Sequence, residues 1–89
     1  MSRAERALVI EQREPAFYEL KAFALLGLDR VDEALAAANQ AVRLNPNYYR
    51  YYSVRARAYQ ALGREQDARS DYRISQDLFP NSEASKFLQ

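Results

Sequence analysis

Apolar and small residues recur along this chain with helical spacing. Tyr18, Ala22 and Leu25 stand at i, i+4 and i+7, which places them on one stripe of a helix. Pro15 suits the opening position of that helix, where its missing N–H has no partner to lose. Ala34, Ala38 and Ala41 make a second stripe, of small residues, that permits the close approach of a neighbouring helix. Between the stripes, Leu28-Asp29-Arg30 reads as a tight turn. The next helix begins near Val31 or Asp32, with Asp32 and Glu33 in its first turn to meet the positive helix end. It ends before Pro46, which biases Asn45 away from helical geometry. No stretch alternates with period two, and only two glycines and three prolines interrupt the chain, so the pattern predicts helices and no strands.

The prolines disclose a repeat. Pro46 and Pro80 lie 34 residues apart, each followed by Asn and each preceded two residues back by Leu. Laying residues 15–48 over 49–82 gives nine identities: Tyr18/Tyr52, Ala22/Ala56, Ala24/Ala58, Leu28/Leu62, Arg30/Arg64, Ala34/Ala68, Leu44/Leu78, Pro46/Pro80 and Asn47/Asn81. Roughly three would follow from composition alone. The second turn is Leu62-Gly63-Arg64, so Asp29 stands where the other repeat has Gly. That position calls for a left-handed backbone, which Gly adopts freely and Asp tolerates better than most residues.

A 34-residue helix–turn–helix with an aromatic, a small residue four later, a turn, two alanines and a closing Pro resembles the tetratricopeptide repeat. The resemblance implies an all-α chain, a right-handed superhelix of antiparallel helix pairs. Residues 15–48 and 49–82 are then two full repeats within one domain spanning 1–89. Ala4 and Ala7 align with Ala38 and Ala41, so residues 2–14 read as the second helix of a partial preceding repeat, and 83–89 as a short C-terminal helix or cap remnant. The expected total is five or six helices. Several positions depart from the family pattern: Lys21 and Arg55 stand at a usual Leu position, Glu65 and Ala38 at usual aromatic ones, and Ser75 replaces the second Ala. These departures are expected to loosen the packing.

Composition narrows the chemistry. At 89 residues there is room for one small domain with a thin core. Without Cys or His there is no disulfide, no Cys/His zinc site, no thiolate and no imidazole base. Asp32-Glu33 are neighbours that point in different directions on a helix, and Ser53 and Ser70 have no histidine to activate them. The expectation is a non-enzyme with no catalytic residues, no metal and no cofactor. A formal charge of +1 supplies no global attraction to nucleic acid or membrane, and no run reaches the ~18 apolar residues of a membrane span, so a cytoplasmic protein is expected.

In the family, first helices line a concave groove, and the resemblance implies a module that binds a protein or peptide there. The face beside the buried stripe holds Ala16, Glu19, Leu20, Phe23 and Leu26 in the first repeat, and Arg50, Ser53, Val54, Arg57 and Gln60 in the second. This predicts a ligand with an apolar anchor near Phe23 and an acidic group near Arg50 and Arg57. On the plainer reading Leu20, Phe23 and Leu26 pack against the N-terminal helix and the arginines are a solvated face. Glu19, Phe23 and Val54 stand where the family's carboxylate-holding Lys and Asn would be needed, which argues against a clamp of that type. Tyr48, Tyr49, Tyr51 and Tyr52 among arginines suggest nucleic acid, but residues 46–80 carry only six Arg against four acids, and packed tyrosines are the better expectation. The apolar Leu8, Val9 and Ile10 and the uncapped outer helices 2–13 and 65–79 point to self-association, most simply as a dimer.

Overall fold

The computed structural model describes residues 14–79. Four helices follow one another there: α1 Pro15–Gly27, α2 Val31–Leu44, α3 Tyr49–Ala61 and α4 Glu65–Leu78. They pair as two hairpins, α1 with α2 and α3 with α4, and α2 also packs along α3. The all-helical repeat expected from the sequence is the fold observed. The helices expected within 2–14 and 83–89 lie outside the described residues.

Both hairpins turn by the same device. Asp29 has φ 63° and Gly63 φ 78°, the left-handed conformation that a helix needs to reverse without losing its last carbonyls. At the first turn the Arg30 N–H donates to the Leu25 carbonyl at 2.8 Å and that of Asp29 to Leu26 at 3.1 Å. The second turn repeats this, with Arg64 to Tyr59 at 2.9 Å and Gly63 to Gln60 at 3.0 Å. The following helices start at Val31 and Glu65, and Arg30 and Arg64 each reach forward to an acid of the first turn, Glu33 and Asp67. Asn45 is extended, as Pro46 requires, and its side-chain oxygen accepts from the Asn47 N–H. The Tyr52 hydroxyl donates to the Pro46 carbonyl at 2.8 Å and fixes α3 against the loop that leads into it.

The core is largely alanine. Ala22, Ala34, Ala38, Ala41, Ala56 and Ala58 are wholly buried, Leu25 nearly so, and Tyr18 packs half-buried across both apolar clusters. Small side chains let helix axes approach closely, so contact between main chains replaces the bulk of an aliphatic core.

Arg55 overturns one expectation. It does not loosen the packing; it ties three helices together. Its Nε and Nη2 donate to the two carboxylate oxygens of Asp71 on α4, at 2.7 and 2.9 Å, and its Nη1 donates to Asn39 Oδ1 on α2 at 3.1 Å. Asp71 is buried, and the guanidinium also lies 5.5 Å from the centre of the Tyr52 ring and 5.9 Å from that of Tyr59. The first repeat has Lys21 and Ala37 at these two positions, so the acid and the arginine are both features of the second repeat alone.

Two stability predictions follow from these contacts. Arg55→Leu alone strands a buried carboxylate and should cost on the order of 3 kcal/mol in urea denaturation, whereas Arg55→Leu with Asp71→Ala should recover most of that loss. An added Cβ meets nothing within 4 Å at either Gly27 or Gly63, so only backbone preference separates them. Gly63→Ala should therefore cost about 1 kcal/mol at its positive φ, while Gly27→Ala in the last turn of α1 should gain about 0.5 kcal/mol.

Candidate functional site

The expected face is drawn from α1 and α3, and stacking the repeats sorts its members. Val54 is fully buried among Ala22, Leu25, Ala34, Ala37 and Ala38, and cannot meet a ligand. Glu19 is also buried, at 4 % exposure, and accepts from Arg50 Nε at 2.9 Å. These two expectations are corrected for one reason. Helical phase places a residue around its own helix, but a second hairpin covers part of that circumference. Leu26 is half-buried against the first apolar cluster. Ser53 turns toward α4, where with Tyr49, Ser75, Gln76 and Phe79 it lines an open apolar hollow of about 190 Å³. Gln60 faces α4 as well, its side-chain oxygen accepting from the Tyr72 hydroxyl at 3.0 Å.

Phe23, Arg50 and Arg57 remain together on the open face. The Arg57 guanidinium stands 5.7 Å from the centre of the Phe23 ring, so the apolar and basic halves expected from the sequence are joined in one cation–π contact. Phe23 is 37 % exposed and Arg57 is exposed. Nearer the helix starts, two turns before Arg57 and one before Phe23, Arg50 spans from α3 to Glu19 on α1 with half of its side chain in solvent. The face is thus a pair of rungs between first helices, one ionic and one aromatic. Leu20, at 66 % exposure, lies outside this contact.

The tyrosines are packed against one another. Tyr51 and Tyr52 are buried, Tyr48 lies edge-on to Tyr49 and Tyr51 at 5.2 and 4.9 Å, and Tyr49 lies against Phe79 at 4.5 Å. None of these contacts leaves the row of open ring faces on which bases stack.

Electrostatically the site is set for constant charge. The Tyr48 hydroxyl and then Glu19 raise the Arg50 pKa above its ordinary value. The hydrogen bond to Asp71 raises that of Arg55 by more than burial lowers it. Burial, and next the charge of Glu19, push the Tyr51 phenol up from 10.0. All three shifts lead away from neutrality, so the guanidinium groups stay charged and the phenol neutral.

Sequence reasoning missed Asp71 and Asn39. Asp71 was detectable as an acid at the position of Ala37, 34 residues on, coincident with an arginine at that of Lys21.

Comparison with known proteins agrees with this architecture. Residues 15–48 match the family described as tetratricopeptide repeat. The first hairpin is a tetratricopeptide repeat, and the second reproduces its turn and three of its alanines, as Ala56, Ala58 and Ala68. The chain is similar to a serine/threonine-protein phosphatase T of Aspergillus oryzae, 32 % identical over 81 residues that make up 91 % of this chain and 17 % of that protein. It is also similar to a DnaJ homolog subfamily C member 7 homolog of Dictyostelium discoideum, 33 % identical over 73 residues, 82 % of this chain and 14 % of that protein. The chain therefore spans about a sixth of the length of these relatives.

The Tyr51 shift carries a sign. A phenol whose folded value is raised contributes stability that is complete below 10.0 and is lost as pH rises through the folded value. Tyr51→Phe, which cannot ionise, should lose less stability than the parent between about pH 9 and 11, measured by urea midpoints across that range.

Proposed function

We propose that this chain is a non-catalytic interaction module that holds a segment of a partner protein against the α1/α3 face. The observation that carries the reading is the Phe23–Arg57 pair, an aromatic ring and a guanidinium in contact and open to solvent. Arg57 stays exposed although a complete repeat stacks before it, so its equivalent Phe23 occupies a position that stacking does not close. An aliphatic or aromatic side chain of the ligand packs on the Phe23 ring, and a neighbouring carboxylate bonds to Arg57. Arg50 is already committed to Glu19 and contributes field more than a free donor.

The relatives support a binding role over a catalytic one. A phosphatase and a DnaJ homolog have different activities by name, yet each holds a stretch similar to this chain within a small part of its length. A unit shared by proteins so unlike suits attachment to partners. A nucleic-acid role finds no support in the packed tyrosines.

Fluorescence anisotropy with labelled peptides that pair an apolar anchor with Asp or Glu tests the reading. Phe23→Ala should weaken binding by about 1–3 kcal/mol through lost burial. Arg57→Glu should slow association and remove its dependence on salt. Arg69→Glu, on the exposed side of α4, should leave affinity unchanged. Equal affinity for all three folded variants would exclude the α1/α3 face as the binding site.

A further inference from the structure

The two rungs between α1 and α3 differ in charge. At the first, Glu19 accepts from Arg50 Nε at 2.9 Å, and the charges of Glu19 and Glu14 both act on Tyr51, the next residue of α3. The cation there is offset. At the second, Arg57 makes no ion pair among the described residues and lies against the Phe23 ring. The two arginines are two helical turns apart, about 10 Å along α3.

The partners of the first rung are unequally buried. The Glu19 side chain is 5 % exposed and that of Arg50 49 %. A buried carboxylate cannot give up its cation without standing uncompensated, so Glu19 holds Arg50 against any competing acid. A second carboxylate brought to Arg50 would place one anion beside another that water does not screen. The solvent half of the Arg50 side chain is left to donate to a neutral oxygen, a carbonyl or a hydroxyl. Arg57 has no such counter-ion, and a guanidinium that stacks on a ring keeps N–H groups for a carboxylate.

We infer that Glu19 sets the ligand class of this face: it occupies Arg50 as a built-in acid, so the face takes a peptide segment with a single carboxylate at Arg57 and an uncharged residue at Arg50. A second acid on the ligand adds no affinity, because the site already holds one. The inference rests on the binding role proposed above. An extended segment rises about 3.3 Å per residue, so the two positions fall about three residues apart on the ligand.

Fluorescence anisotropy of the full chain with three labelled peptides tests the inference. Each peptide carries an apolar anchor beside an Asp; one has no other acid, and two have a second Asp three residues before or after the first. On the parent, neither second acid should raise affinity more than about threefold or steepen its dependence on salt. Glu19→Gln keeps an oxygen to accept from Arg50 but removes the charge, and should raise affinity about tenfold for one of the double-acid peptides while leaving the single-acid peptide nearly unchanged. Adding Arg50→Gln should abolish that gain. A parent that already prefers a double-acid peptide about tenfold, or a Glu19→Gln protein without the preference, overturns the inference, and the binding role stands if Phe23→Ala still weakens the single-acid peptide. If Phe23→Ala leaves that peptide unaffected, the binding role fails and the inference with it. Should Glu19→Gln not fold, the salt dependence on the parent decides: equal slopes for the three peptides support the inference, and a steeper slope for a double-acid peptide overturns it.

Discussion

Ala34, Ala37, Ala38 and Ala41 are almost inaccessible to solvent, and they allow α2 to be packed on two sides. On one side lies α1, the other arm of its hairpin; on the other lies α3, the start of the next. Larger residues would hold one neighbour off and split the molecule into two hairpins, each too small to bury its own apolar stripe. Every feature of the open face is fixed by this sandwich, because it sets the spacing of α1 and α3. At that spacing Arg50 reaches Glu19 and Arg57 reaches Phe23.

A core of alanines contributes little apolar area per residue, and polar ties at the junction supplement it. Arg55 is the clearest of these, satisfied on both sides by Asp71 and Asn39 and flanked by two tyrosine rings. Among the described residues no buried side-chain nitrogen or oxygen lacks a hydrogen-bond partner. A guanidinium at an aliphatic position is tolerable only under that condition, since an unpartnered buried charge would cost more than the packing returns. The same requirement makes the junction selective, because the residue presented by the preceding helix must accept from a cation.

The two sides of the first helices have different purposes. On α3 the side toward the first hairpin is a stacking surface, apolar except for Arg55 at its edge. The outward side, with Phe23 and Arg57, is left clear by stacking and combines an adhesive ring with a charge. The separation lets residues of the outward side vary while the stacking surface holds the fold.

Periodicity alone determined the four helices, both turns and the alanine core. Those features depend on residues a few positions apart, and the 34-residue repeat states them twice. Asp29 was recognisable as a left-handed residue from its alignment with Gly63. Which exposed-looking residues are truly open was decided by tertiary structure. Glu19 and Val54 share a helix face with residues that are open, and they are buried by a neighbouring hairpin whose approach no helical wheel contains. Arg55 read as a flaw because the aspartate that completes it is 16 residues away on another helix, and only folding brings the two within 2.7 Å.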